Sequence, residues 1–447
     1  MPKFKLDSKS SRSFRDRIRP FLLALVVSLL LVYSIWTFTE TVWPSFSIST
    51  IFTNSTTNHF CIPRADYFNR THDPPETTFY DDPQLSYSLD KPLDNWDDKR
   101  SSWLKLHPSF ADTVENRIFL ITGSLPLPCK SPIGDHLLLR CFKNKADYCR
   151  IHGYDIFYGN SCFDPKLCNV WAKVALIRAS MVAHPEAEWI WWMDAEAVIT
   201  DMDFKIPLER YKQHNLVIPG WPNLIYEKKS WVAVNTGSFL IRNCQWSLDF
   251  LDVWTNMSPR SPDYKFWSET LKSTLSDKAF PGADDQSSLV YLLLREKKKW
   301  GDMIYLENEY YSRGYWVEIV GRFNEIIKKY FDIEQKVPAL RRRRAEVVSE
   351  SLRGVWEKYM GDLGFGFGNG GWRRPFITHF TGCQPCTGNH DPSYKGNSCW
   401  IAMEKVLNFA DNQVLRRYGF AHPDLGNGST VFPLPFDFPA DENNELV

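Results

Sequence analysis

The chain has 447 residues, with 53 basic and 53 acidic side chains and a formal net charge of +0, so no global electrostatic attraction draws it to nucleic acid. At 43% hydrophobic and 15% aromatic, it carries too much apolar surface for a disordered or fibrous chain. It must fold around a large core, and its length accommodates one catalytic-sized α/β unit preceded by a tail.

Residues Phe21 to Phe38 carry no charge. As a helix rising about 1.5 Å per residue they span about 27 Å, slightly under an average hydrocarbon core and close to the thinner membranes of the early secretory pathway. The run exceeds the roughly 7–15 apolar residues of a cleaved signal peptide, and no small-residue cleavage site follows it. It reads as a retained signal-anchor over 21–38. Lys3, Lys5, Lys9, Arg12, Arg15, Arg17 and Arg19 precede it against only Asp7 and Asp16, which keeps the tail at 1–20 cytoplasmic and sends the bulk of the chain into the lumen. All ten cysteines lie beyond the anchor, where an oxidising compartment permits disulfides whose pairing the spacing does not give. Glycosylation sequons begin at Asn54, Asn69, Asn256 and Asn427, the third weakened by Pro259 just after it.

Residues 39–108 are rich in Ser, Thr, Asp and Pro without a sustained period, the character of a stem. Within it, the aromatic stretch Tyr80 to Trp103 is a candidate to dock on the domain, which is expected over 109–447. Arg117 to Thr122 is a short apolar run ending in Gly123-Ser124, a buried strand entering a tight turn. His136 to Ala146 has helical spacing, Tyr154 to Tyr158 reads as a strand, Trp171 to Ala183 as a helix and Trp189 to Met193 as a strand. That alternation predicts parallel strands joined by crossover helices. Trp231 to Val234 and Ser238 to Ile241 are strand-like runs around Asn235-Thr236-Gly237. Helices are expected over Gln245 to Asn256 and from Asp284 to Lys297, the latter opening on two acids that suit a helix N-terminus, and a strand over Met303 to Leu306. Phe323 to Met360 is charged with helical spacing, its run Arg341 to Arg344 reading as a solvated face. Gly361 to Gly371 is a glycine-rich linker or a lid.

The strongest chemical constellation is Asp194-Ala195-Glu196, placed directly after the apolar strand WIWWM, because open α/β sheets collect ligands at the carboxyl ends of their strands. Two carboxylates there can hold manganese or magnesium, which would neutralise a departing diphosphate; the bland alternative, acids that merely cap the next turn, is outweighed by the position. His379, at the end of the apolar run in Ile377 to Cys383, can complete such a site as a neutral imidazole. Cys383 and Cys386 have the spacing of a redox pair or half a zinc knuckle, yet with only Cys399 nearby a disulfide in this segment is favoured over zinc. Asp284-Asp285-Gln286 either faces a donor sugar or caps its helix, and the residues alone leave both open. No P-loop, G-x-S-x-G elbow, HExxH or full G-x-G-x-x-G fingerprint occurs.

The segments FYDDPQLSYSLDKPLDNWDDKR, ITGSLPLPCKSPIGDHLLLRCFKNK, HPEAEWIWWMDAEAVITDMDF, LVIPGWPNLIYEKKSW, NTGSFLIRNCQWS, ADDQSSLVYLL and HFTGCQPCTGNHDPSY together resemble the plant branch of glycosyltransferase family 34, its galactomannan galactosyltransferase-like members more than its xyloglucan xylosyltransferases. The resemblance implies an α/β fold of GT-A type with a Rossmann-like nucleotide-sugar-binding domain, a Golgi type II membrane enzyme, a UDP-sugar donor, a manganese ion and retention of anomeric configuration. It implies metal ligation by Asp194, Glu196 and His379. Nucleotide-sugar contacts are implied for Thr122, Gly123, Ser124, Lys173, Asp194, Glu196, Asn235, Gly237 and Gly382, and a catalytic role for Asp284, Asp285 and Gln286. One departure stands out: the family pattern D-S-D is D-A-E here, and an extra methylene shifts the metal by about an ångström, a scale that affects rate. The expected activity is transfer of galactose from UDP-galactose onto a mannan-type polysaccharide at the Golgi membrane, with other Golgi glycosyltransferases as possible partners and no nucleic acid. Two alternatives stay open, a UDP-xylose-dependent xyloglucan xylosyltransferase and a weakly active or inactive Golgi scaffold.

Overall fold

Two apolar runs, Ile118-Phe119-Leu120-Ile121 and Trp189-Ile190-Trp191-Trp192-Met193, are buried along their whole length, the pattern of strands covered on both faces. In the computed structural model, which describes residues 82–111, 117–336, 373–426, 428 and 430–434, they are the inner strands of a six-stranded sheet. Strands β1 (Ile118–Gly123), β2 (Asp155–Gly159) and β3 (Trp189–Met193) run parallel. They are joined by helices α2 (Gly134–His152) and α3 (Ala172–Ala183), as the alternation predicts; α1 (Trp96–Leu106) precedes them. The sheet continues through β6 (Ser238–Arg242), β5 (Leu216–Pro219) and β7 (Ile304–Glu307) in the order β2-β1-β3-β6-β5-β7.

Side chains alternate across the sheet. Phe119, Ile121, Ile190 and Trp192 enter one core cluster with Val174, Ile177 and Met181 of α3, while Ile118, Leu120, Trp189, Trp191 and Met193 enter another with Tyr148 of α2, as the period of two requires. The first cluster also takes residues from α4 (Gln245–Thr255) and α6 (Asp285–Arg295). A third cluster joins α7 (Phe323–Lys336) to α8 (Ser398–Leu415). Between α4 and α6 lies α5 (Tyr264–Thr274); neither α5 nor α8 was anticipated above.

One expectation is corrected, and one strand departs from the parallel pattern of the first three. Strand β6 runs antiparallel to both β3 and β5, because the link from β5 to β6 holds only the short helix Pro222–Tyr226 and a 3₁₀ turn, too little for a crossover back to the starting edge. That 3₁₀ turn, Trp231–Ala233, replaces the strand expected over Trp231 to Val234. Ser230 Oγ accepts from Val232 N, and the Asp277 carboxylate accepts from Trp231 N, so side chains take up the amides that a sheet ladder would need.

The stretch from 82 onward, grouped with the stem by composition, contributes to the first core cluster. Trp96 is fully buried and its Nε1 donates to Asn243 Oδ1 at 2.8 Å. Arg178 donates to the carbonyls of Ser88 and Lys91. Three disulfides join Cys129–Cys386, Cys162–Cys168 and Cys383–Cys399. Cys383 and Cys386 therefore pair elsewhere and not with each other, which disposes of the redox-pair and zinc readings. The anchor at 21–38, the tail at 1–20, residues 39–81 of the stem, Asn54, Asn69, Asn427, Arg341 to Arg344 and Gly361 to Gly371 lie outside the described residues. Among the described residues no helix is long and apolar enough to cross a membrane.

Candidate active site

Strands β3, β5 and β7 point the same way as β1 and β2, since β6 alone is reversed. The carboxyl ends of five strands thus share one edge, where ligands of open α/β sheets collect. At the end of β1, Gly123 lies so close to β2 that a Cβ would meet Gly159 O at 2.1 Å, so glycine is required there. Ser124 N donates to Gly159 O at 3.0 Å. Thr122 is buried, and its Oγ1 has no hydrogen-bond partner among the described residues.

At the end of β3 the chain turns through Asp194-Ala195-Glu196 into β4 (Ala197–Ile199). Strand β4 pairs antiparallel with β8 (Ile377–His379), placing His379 opposite Ala197. That pairing brings the imidazole to the two acids across a long stretch of sequence. His379 Nε2 lies 3.6 Å from both Asp194 Oδ2 and Glu196 Oε1, and the ligand atoms of the three residues are all within 4.8 Å of one another. Nε2 is buried with no hydrogen-bond partner among the described residues. Two hard oxygens and an imidazole nitrogen suit a manganese-like divalent cation, so the residues present fit the expected metal.

Several neighbours fix this geometry. Asn235 Nδ2 lies 3.3 Å from His379 Nδ1, and Asn235 Oδ1 accepts from Gly237 N at 2.8 Å. A Cβ on Gly237 would sit 2.1 Å from the Cε1 atom of His379, so the imidazole occupies the space that any other residue would fill. Asp194 N donates to Gly237 O at 2.7 Å, and Trp192 Nε1 to Asp194 Oδ1 at 2.7 Å. Burial opposes ionisation of Glu196, but the neighbouring His379 imidazole outweighs it and holds the carboxyl below its ordinary range.

Lys173 is buried on α3, with Nζ 2.7 Å from Asp285 Oδ2, 3.5 Å from Asp194 Oδ1 and donating to Thr236 O at 3.0 Å. Burial alone would lower its pKa; the carboxylates of Asp194 and Asp285 prevail and hold the ammonium above the ordinary lysine range. Asp284 is the N-cap of α6 in a capping box with Ser287. It also accepts from Trp231 Nε1 at 3.1 Å and pairs with Lys278. Gln286 Nε2 donates to Trp231 O at 3.0 Å. The structure therefore gathers Asp194, Glu196, His379, Asn235, Gly237, Lys173 and Asp285 in one linked set. Asp284 and Gln286 hold the Trp231 turn beside it. Gly382 stands in a left-handed turn (φ 81°), its carbonyl accepting from Asp391 N, with no bond to the triad. Asn256 is exposed just past α4, while Ser258 of its sequon is buried and donates to Thr255 O.

Lys145 was not singled out from the sequence. It is 0% exposed, and its Nζ donates to Ala195 O at 3.0 Å and Ala197 O at 2.7 Å, fixing the backbone of the Asp194-Ala195-Glu196 turn from α2. Burial lowers its pKa. The available signal was a lysine on the apolar face of a helix, in line with Leu137, Leu138, Cys141 and Cys149, since lysines are almost never fully buried without partners.

The sequence profile of the galactosyl transferase GMA12/MNN10 family matches residues 114–390, a span that contains every residue of the linked set. The chain belongs to this family. Among members of the GMA12/MNN10 family, it is similar to glycosyltransferase 6 of Arabidopsis thaliana, 57% identical over 82% of this chain and 85% of that one. It shares 55% identity with galactomannan galactosyltransferase 1 of Cyamopsis tetragonoloba, over 83% of this chain and 84% of that one. With a probable xyloglucan 6-xylosyltransferase 3 of Arabidopsis thaliana the identity is 43%, over 82% and 74%. As a glycosyltransferase of this family it uses a nucleotide-sugar donor and a saccharide acceptor.

Proposed function

We propose that the chain transfers galactose from UDP-galactose, with retention, onto a mannan-type cell-wall polysaccharide, as a GT-A type enzyme held in the Golgi membrane by the segment at 21–38. The observation that carries this reading is the convergence of Asp194, Glu196 and His379 at the end of β3. The choice of galactose over xylose is supported by 55% identity to a galactomannan galactosyltransferase against 43% to a probable xylosyltransferase. A lumenal location is supported by three disulfides, all between cysteines that follow the apolar segment.

Asp194, Glu196 and His379 would hold the divalent cation, which when bound supplies neutralising charge to the diphosphate of the leaving nucleotide. The nucleotide itself lies along Thr122 to Ser124, at the carboxyl end of β1. Lys173 contributes a fixed positive charge beside Asp194 and orients Asp285. Asp285 and Gln286, in the first turn of α6, face the donor sugar, and the Gln286 amide steadies the charge that develops on it. Asp284 acts one step back, by capping the helix that presents them. Asn235 sets the imidazole plane, and Gly382 shapes the turn that follows the His379 strand. Glu196 Oε1 and Asp194 Oδ2 stand equally far from His379 Nε2, which supports a working site despite D-A-E and weighs against an inactive scaffold.

The test is a panel of UDP-sugars offered to the full-length protein with manganese and either mannan or glucan oligosaccharides. Manganese-dependent transfer from UDP-galactose to mannan is expected. Transfer confined to UDP-xylose and glucan, or none from any donor, would overturn the proposal.

A further inference from the structure

Further along the same sheet edge, β5 and β7 run side by side and end at Pro219 and Glu307. The chain beyond them walls a cleft of about 390 Å³, within the roughly 300–1,000 Å³ typical of ligand sites. Its lining includes Trp221, Tyr311, Ser312, Arg313, Tyr315 and Glu318, and the three rings are half-buried, each with area left to cover. The Arg313 guanidinium lies 4.9 Å from the centroid of Trp221 and 5.8 Å from that of Tyr315, so the three side chains form one continuous shelf.

Two observations mark the cleft as more than a surface crease. Ser312 is 9% exposed, and its buried Oγ has no hydrogen-bond partner among the described residues, an arrangement that is unfavourable until a ligand supplies the partner. Tyr311 has φ 56°, the left-handed region that a bulky side chain rarely occupies and that clusters at ligand sites. The segment is held in place by the strand that bears His379: His379 N donates to Gly314 O at 2.6 Å, and Tyr315 bridges to His379. The cleft therefore adjoins the metal site.

Its charge narrows the ligand. Glu307 and Glu309 line it but are paired with Arg210, which leaves Glu318 to balance the guanidinium of Arg313 and gives the cleft no net positive charge to draw a second phosphate group. Flat aromatic faces flanked by carboxylate acceptors and a guanidinium donor suit a neutral polyhydroxyl chain, whose C–H faces pack on rings and whose hydroxyls hydrogen-bond at the rim. We propose that this cleft binds the saccharide acceptor, a chain of hexopyranosyl units that stacks on the Trp221–Arg313–Tyr315 shelf and engages Ser312 Oγ. The proposal rests on the glycosyltransferase reading above, for which it supplies the place of the second substrate.

The experiment titrates mannohexaose and cellohexaose, separately, into the full-length native protein and into Trp221→Ala and Ser312→Ala, with UDP and manganese binding measured on the same samples. The expected result is a hexaose Kd raised about tenfold in Trp221→Ala and roughly threefold in Ser312→Ala, with UDP affinity unchanged. Retained UDP binding shows that the variants are folded. Tighter binding of mannohexaose by the native protein assigns the cleft to a mannan chain, and tighter binding of cellohexaose to a glucan chain. Hexaose binding unaltered in both variants, or no binding of either hexaose to the native protein, would overturn the proposal. Native protein that binds hexaose in this cleft but not UDP would sink the enzymatic reading and leave the cleft standing.

Discussion

The β2-β1-β3 half of the sheet is built from parallel strands joined by long helices, whereas the β6-β5-β7 half contains a reversed strand and meets the ligand edge with loops and short turns. The first half presents the Asp194-Ala195-Glu196 turn on a strand buried at every position and clamped from below by Lys145. The edge of the second half presents Asn235, Gly237 and the cleft residues on segments held by capping side chains and left-handed positions. The carboxylates thus sit on the part of the fold with the deepest packing. The groups that orient the imidazole and line the proposed acceptor cleft sit instead on loops and short turns.

The largest expected effect tests the packing of the first half. Trp191→Ala, in the middle of β3 and 2% exposed, should lower the unfolding free energy by about 3–5 kcal/mol, read by denaturant titration. Trp221→Ala at the second half's edge should lower it far less, and equal losses would erase the contrast. Next comes Gly237→Ala, whose methyl must displace the His379 ring. A misplacement of that order should slow transfer about 10²-fold, and the overpacked contact should lower stability by about 1–3 kcal/mol, less than Trp191→Ala. Asn235→Ala removes the partner of His379 Nδ1 and should weaken manganese affinity by roughly 10–100-fold, measured by titrating the metal into the UDP complex.

The smallest effect concerns a contact between helices α2 and α8, where Asp411 meets Lys143 at 2.8 Å and His422 at 3.0 Å. Burial opposes its ionisation, yet these partners hold its carboxyl below the ordinary aspartate range. The folded value is thus lower than the unfolded one, so the contribution is complete above the ordinary value of 3.8 and fades as pH falls through the folded value. With Lys143 half exposed, Asp411→Asn should cost less than about 1 kcal/mol at pH 7. The difference from native should shrink in denaturation curves taken at progressively lower pH, and a difference that grows instead would reverse the assignment.

The same contrast explains what the sequence made legible. Arg117 to Met193 alternates apolar runs with helical spacing, so β1, α2, β2, α3, β3 and the acids at the end of β3 could be read in order. Trp231 to Val234 is equally apolar, but the choice between strand and 3₁₀ turn is made by Ser230 and by Asp277, the latter far along the chain. Strands β4 and β8 span three residues each, too short to show a period, so the pairing that delivers His379 was reachable only through the family resemblance. Cysteine spacing left the connectivity open, and Cys129 pairs with Cys386 at a separation of 257 residues. Helix α8 did carry a usable pattern in Cys399, Met403, Val406 and Ala410, all buried, and Lys145 betrays its role by interrupting just such a pattern in α2.

The central claim is that Asp194, Glu196 and His379 form one divalent-cation site beside the nucleotide. Its most direct test is the affinity of the full-length protein for UDP, measured with and without manganese, for the native chain and for His379→Ala. The account predicts that manganese strengthens UDP binding to the native protein, and that His379→Ala loses most of this increment while metal-free binding stays the same. Native UDP binding that is equal with and without manganese would contradict it.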